Sequence, residues 1–271
     1  MQTVLLKDRV AVVTGASMGI GEAIARAFAR EGARVVINSR SRERAERVAN
    51  ALSGEGCEAM AVEADVSRRS DAERLVRETT DRWGRIDIMV NNAGVSMIAP
   101  SENLSEEDWR RTLDVNITGA FFCAQAAARV MIPQRRGVII NISSILGEVG
   151  LPKRAAYCAS KHALNGLTKV LATEWAPYGI RVVGIGPGYI RTPMDVRDTA
   201  TGDYTEADIE RRTPLGRYGA VQEVARTAVF LASDDASYIT GVTLLVDGGW
   251  VAFGGWQGLM ERLVSAAKDK R

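Results

Sequence analysis

The sequence predicts a doubly wound α/β fold, a seven-stranded parallel sheet with helices on both faces. Three observations lead there. Short β-type runs alternate along the chain with amphipathic helical stretches, which is the pattern of βαβ units. Most of these runs are continuously apolar, as strands covered on both faces must be. The first of them ends in a glycine-rich turn that opens a helix, a junction typical of such sheets.

The runs occupy residues 9–14, 33–38, 58–64, 86–91, 137–142, 180–185 and 242–246. No repeat, low-complexity segment or linker divides them, so residues 1–249 are read as one domain. The stretch 189–217, rich in Thr, Pro, Asp and Gly, breaks the alternation where a lid over a site would lie. Residues 250–271 form a tail of the same domain, with Trp250, Phe253 and Trp256 followed by a short helix ending in Lys268, Asp269, Lys270 and Arg271.

The 271 residues are 46% hydrophobic and 25% charged, enough to bury a sizeable core. Thirty-five basic and 33 acidic residues are mixed along the chain for a net charge of +2, so no basic stripe points to nucleic acid. No signal peptide is evident, and no stretch approaches the ~20 apolar residues of a membrane span. A cytoplasmic protein without a membrane partner is expected. Three cysteines, Cys57, Cys123 and Cys158, leave an odd thiol and suit a reducing compartment. With one histidine and no ligand spacing, no metal site is expected.

Glycines at 15, 19 and 21 give G-x-x-x-G-x-G between the first strand and a helix expected near Glu22. Backbone without side chains turns tightly and comes close to a pyrophosphate, whose charge faces the helix N-terminus. Gly15, Ser17, Met18, Gly19, Ile20 and Gly21 are therefore candidate dinucleotide contacts, and the fold is of Rossmann type. The second strand ends in Asn38, Ser39 and Arg40, where such folds read the adenosine ribose. No acid stands there to accept the 2′-hydroxyl. Ser39 and Arg40 suit a 2′-phosphate instead, which favours NADP(H) and leaves NAD(H) possible. The competing reading makes Arg40 a solvated helix-start residue beside Arg42 and Arg44.

Tyr157 and Lys161 stand four residues apart, so one helix face would carry both side chains. Tyrosine, with a pKa near ~10, is a reluctant acid or base at neutral pH. A cation ~4 Å away at an effective dielectric of ~20 contributes about 4 kcal/mol, roughly three pKa units. The pair is therefore a candidate proton-transfer device, with the phenol expected near 7, although tyrosine and lysine at this spacing are often only a surface pair.

At this point the chain resembles the short-chain dehydrogenase/reductase family from Arg9 to Gly249. Thr14 to Gly21 matches its T-G-x-x-x-G-x-G loop and Asn91 to Gly94 its N-N-A-G. Ser144 with Tyr157 and Lys161 matches its S and Y-x-x-x-K, and Pro187 with Gly188 its P-G turn. Asn116 lies where the family has a catalytic asparagine. The resemblance implies catalysis by Asn116, Ser144, Tyr157 and Lys161, with Asn116 distorting its helix and holding a water that links Lys161 to solvent. It implies that Asp65 and Val66 face adenine, that Asn92, Ala93 and Gly94 flank the cofactor, and that Ile190 and Thr192 hold the carboxamide. Lys161 would also bond the nicotinamide ribose. Ser143 is set aside because the thirteen-residue interval selects Ser144, and His162 because it points about 100° from Lys161.

The implied activity is reversible oxidation of a secondary alcohol in a homotetramer. The branch it resembles holds 3-oxoacyl-carrier-protein reductases and gluconate or sugar dehydrogenases. Val95, Ser96, Met97, Leu146, Leu151, Tyr189, Met194 and residues 195–213 would line the small-molecule pocket. A regulatory dinucleotide-binding protein without turnover is the alternative, but such proteins typically lose the tyrosine or the lysine. The aromatic tail either caps this core or an interface, or closes a neighbouring subunit's site.

Overall fold

The continuously apolar runs do pair as a single parallel sheet in the computed structural model, which describes residues 4–201, 203–255, 258, 259 and 262. The strands are β1 Val10–Val13, β2 Arg34–Ser39, β3 Ala59–Glu63, β4 Ile88–Asn91, β5 Gly137–Ile142, β6 Ile180–Pro187 and β7 Thr243–Val246, in the order β3-β2-β1-β4-β5-β6-β7. Val12 of β1 faces Val36 on one side and Met89 on the other. The winding reverses between β1 and β4, and a crevice opens beyond their carboxyl ends, where open α/β sheets bind ligands.

The nine α-helices among the described residues are α1 Gly19–Arg30, α2 Arg42–Gly54, α3 Arg69–Trp83, α4 Glu106–Leu113, α5 Gly119–Gln134, α6 Ala155–Trp175, α7 Pro193–Thr199, α8 Glu206–Arg212 and α9 Val221–Ala232. Ile24, Phe28, Leu52 and Val224 from α1, α2 and α9 fill one face of the sheet. Leu75, Cys123, Met131 and Leu171 from α3, α5 and α6 fill the other. The helix after the glycine loop begins at Gly19, three residues before the expected Glu22. β4 begins two residues late because Asp87 is turned inward, where its carboxylate accepts from Val10 N at 2.9 Å and from Arg85 Nε at 2.9 Å.

The run Glu106–Gln134 is long and apolar enough to cross a membrane by length and hydropathy, a segment that the sequence reading passed over. Its apolar residues serve the core, for Cys123, Ala124, Ala127 and Met131 are fully buried against the sheet and α3.

Between β6 and α9 the chain leaves the sheet and returns, carrying α7 and α8. The departure is pinned at its neck, where Ile190 and Gly219 pair in an isolated parallel bridge. After β7 the tail folds onto this excursion. The Trp250 ring centre is 6.1 Å from that of Tyr189, and the Arg212 guanidinium lies 4.4 Å over Trp250. Arg212 Nη2 also donates to the Phe253 carbonyl at 2.8 Å. Trp250 and Phe253 thus pack against the chain's own excursion, while Trp256 and residues 263–271 of the expected terminal helix lie outside the described residues.

Candidate active site

Alternation of apolar and glycine residues at the end of β1 makes a turn that only bare backbone fits. Gly15 and Gly19 both have left-handed φ, +61° and +60°. A Cβ on Gly21 would come 2.4 Å from Asn92 Nδ2 and 2.6 Å from the Gly15 carbonyl. Asn92 is placed by the strand beside it, donating through Nδ2 to the carbonyls of Thr14 at 2.9 Å and Gly15 at 3.1 Å. Thr14 Oγ1 accepts in turn from Asn92 N and Ala93 N, at 2.9 and 3.0 Å. Asn38, which sequence reasoning did not assign to the site, donates to the carbonyls of Val62 and Ala64 and accepts from Gly15 N at 3.4 Å. A buried amide ending an otherwise apolar strand was its only signal.

Met18 caps α1 without a side-chain hydrogen bond, so the first N–H groups of the helix are free for an anion. Gly15, Ser17, Met18, Gly19, Ile20 and Gly21 line one cleft, together with Ser39, Arg40, Asp65, Val66, Asn92, Ala93 and Gly94. This arrangement fits a dinucleotide: bare backbone and uncapped amides at one point, arginines at the next. Arg42 is taken by Glu46 at 2.7 Å, and Arg47 by the Ser17 carbonyl at 2.9 Å. Among the described residues Arg40 and Arg44 have no ion pair, and both face the cleft exposed. Arg44 is thus a second cation at this end that the sequence reading had left to solvent. Ser39 Oγ is turned to Ser41 N at 3.2 Å. Burial alone would raise the Asp65 carboxyl, but hydrogen bonds from Ser67 and the charges of Arg111 and Arg40 hold it below its ordinary range.

At the other end of the same cleft stand Ser144, Tyr157 and Lys161. Tyr157 and Lys161 share the inner face of α6, and the ammonium lies 5.4 Å from the centre of the phenol ring. Lys161 Nζ donates to the Ile142 carbonyl at 2.7 Å. Ser144 Oγ accepts from Leu146 N at 3.1 Å and lies close enough to the Tyr157 phenol to favour its ionised form. The expected depression of this phenol toward 7 does not occur. The ring opens to the cleft but is densely surrounded, and burial pushes Tyr157 up to about 12 against the lowering influence of the nearby Ser144 hydroxyl. Burial also brings Lys161 down to about 8. Spacing alone could not reveal this, because desolvation acts on both members of the pair.

Asn116 lies in a π turn, Asp114–Thr118, that interrupts the helix between α4 and α5, the distortion the resemblance implies. Its side chain spans Val95, accepting from the amide at 2.8 Å and donating to the carbonyl at 2.9 Å, and reaches Ser160 Oγ at 3.0 Å. Pro187, Gly188, Ile190 and Thr192 complete the wall, and Thr192 Oγ1 caps α7 by accepting from Asp195 N at 3.2 Å. Of the pocket residues expected from sequence, Val95, Ser96, Leu146, Leu151, Tyr189 and Met194 line the cleft and Met97 does not. His162 is exposed, its Nδ1 2.9 Å from the Cys158 carbonyl. Ser143 Oγ is buried and turned to the Lys161 carbonyl at 3.4 Å.

A cleft at the switch point, with a glycine cradle at one end and a serine, tyrosine and lysine at the other, defines the class of nicotinamide-dinucleotide-dependent oxidoreductases. Comparison with known proteins identifies which: a family model described as enoyl-(acyl carrier protein) reductase matches residues 15–251, and the chain belongs to the short-chain dehydrogenase/reductase family. It is 44% identical over 254 residues to 3beta-hydroxysteroid dehydrogenase 1 of Eggerthella lenta, covering 93% of this chain and 97% of that protein. Identity to a 3-oxoacyl-[acyl-carrier-protein] reductase of Synechocystis sp. is 42%, covering 92% and 99%. The crystal structure of a gluconate 5-dehydrogenase from Burkholderia cenocepacia in complex with NADP and tartrate superimposes with a TM-score of 0.88 at 39% identity, covering 93% of this chain and 98% of that one.

Proposed function

We propose that the protein interconverts a secondary alcohol and a ketone, on a sugar- or polyol-type or 3-oxoacyl substrate, and favours NADP(H) while accepting NAD(H). The observation that carries this reading is the grouping of Ser144, Tyr157 and Lys161 at the end of the cleft that begins at Gly15. When bound, the cofactor supplies or accepts the hydride at the substrate carbon. Ser144 and Tyr157 hold the substrate oxygen between two hydroxyls, and Tyr157 gives that oxygen a proton in reduction or removes one in oxidation. A phenol held near 12 is ready as the acid; as the base it needs the charge of Lys161, which is present below about 8. Asn116 fixes the loop at Val95 that backs the reacting centre.

The residues from Gly15 to Gly21 and Asn92 to Gly94 would hold the pyrophosphate and ribose, Asp65 and Val66 the adenine, and Pro187, Gly188, Ile190 and Thr192 the carboxamide end. Arg40 and Arg44 favour the 2′-phosphate. A homotetramer is supported by exposed apolar side chains where the family packs its subunits: Trp109 and Val170 on α4 and α6, and Tyr238, Val242 and Leu244 at the β7 edge. Three unpaired cysteines favour the cytoplasm. A dinucleotide sensor without turnover is disfavoured by the presence of Asn116, Ser144, Tyr157 and Lys161 together. A panel of ketones, sugars and acyl thioesters, followed by NAD(P)H absorbance in both directions, tests the reading. Absence of turnover with every class would overturn it.

A further inference from the structure

The substrate half of the cleft contains a buried cation that the chemistry above does not use. Arg154 is the N-cap residue of α6, three positions before Tyr157, and is only 4% exposed. The charge of Arg154 reaches the Tyr157 phenol, where it favours the ionised form. Both line the cleft. A guanidinium has five N–H donors, and burying it with few partners is costly. Among the described residues its charged partner within 4 Å is Asp198 of α7, at a long 3.5 Å. Asp198 is shared, since Arg197 also reaches it at 3.1 Å. Two arginines therefore meet the Asp198 carboxylate.

A second observation points the same way. Ser96, on the same cleft wall and 4% exposed, has a buried Oγ with no hydrogen-bond partner among the described residues. It adjoins the cluster, for Arg197 Nη2 donates to the Ser96 carbonyl at 3.3 Å. The other acid of this half of the cleft, Asp195, is raised by burial to about 6. We infer that Arg154 is a specificity-determining residue that receives a carboxylate of the substrate, a small hydroxy acid or keto acid whose carboxylate lies a few carbons from the reacting one. This rests on the alcohol–ketone activity proposed above and narrows its substrate class.

The test compares matched probes with NADP+: gluconate against sorbitol, and 3-hydroxybutanoate against butan-2-ol, in the wild type, Arg154→Gln and Arg154→Lys. The ratio of kcat/KM for the acid over its neutral partner should fall roughly 30-fold in Arg154→Gln, the size of one lost charge-assisted contact. Arg154→Lys should restore part of it, because a point charge lacks the planar fork. A thermal-shift titration with succinate and with uncharged succinamide, in the presence of NADPH, needs no turnover. Succinate should raise Tm in the wild type and not in Arg154→Gln, and succinamide in neither. If the ratio stays within threefold, or succinate shifts both proteins alike, Arg154 only anchors α7 through Asp198 and the inference falls. A wild type that binds succinate through Arg154 but turns over no member of the ketone, sugar and acyl-thioester panel would instead defeat the proposed activity and leave the carboxylate site standing.

Discussion

The Lys161 ammonium lies 5.4 Å from the centre of the Tyr157 ring and spends a hydrogen bond on the Ile142 carbonyl at 2.7 Å. The lysine is thus positioned by the end of β5, beside the phenol ring. Replacing Tyr157 by Phe removes the proton donor and little else. Turnover should drop roughly 10²- to 10⁴-fold, while NADPH fluorescence titration gives an affinity within threefold of wild type. Turnover near wild type would remove Tyr157 from the chemistry.

The same burial has a consequence for stability. The folded pKa of Lys161 falls from 10.5 to about 8, so between these values the unfolded chain binds more protons than the folded one, and stability rises with pH through that window. Below pH 8 the buried charge costs about 3 kcal/mol. Lys161→Met should therefore be more stable than the wild type in urea at pH 7, with the difference shrinking as pH approaches 10. A difference independent of pH would show that packing, and not the charge, is responsible.

The exposed pair Arg40 and Arg44 makes a separate prediction for the cofactor. Arg40→Asp should lower the ratio of kcat/KM for NADPH over NADH roughly 10- to 100-fold. Arg44→Ala should lower it less, since a cation is lost and no repulsion is added. An unchanged ratio in Arg40→Asp would return Arg40 to the role of a solvated helix-start residue.

Two glycines separate close approach from mere flexibility. At Gly21 a methyl group would meet Asn92 Nδ2 at 2.4 Å and backbone at 2.6 Å, whereas at Gly54, the last residue of α2, nothing lies within 4 Å. Gly21→Ala should weaken NADPH binding at least tenfold and lower Tm. Gly54→Ala should leave binding alone and stabilise the fold by up to about 1 kcal/mol, as read by urea unfolding.

Much of this site could be read before folding because it is written in local spacing. The four-residue step from Tyr157 to Lys161 and the glycines at 15, 19 and 21 depend on one helix or one turn, and apolar runs give away a sheet buried on both faces. What escaped depends on contacts across long sequence distances. Asn38 braces Gly15 from the next strand, Arg154 meets Asp198 only because α7 folds back over the cleft, and the phenol's pKa reflects how many atoms surround it. The Glu22 start was misjudged for a different reason: glycine is a poor helix former, yet at the first turn its open backbone is what the loop requires.

The bridge between Ile190 and Gly219 gives the molecule a natural graft junction. Strand ends and α6 carry the residues proposed for the chemistry, while the excursion with α7 and α8, which lines the cleft through Met194, Asp195, Asp198 and Tyr204, enters and leaves through one pinched neck. Residues 191–218 could therefore be exchanged for those of a relative as a cassette, and new substrate preferences could arise by rewriting one excursion while the proton-handling residues stay where the sheet puts them.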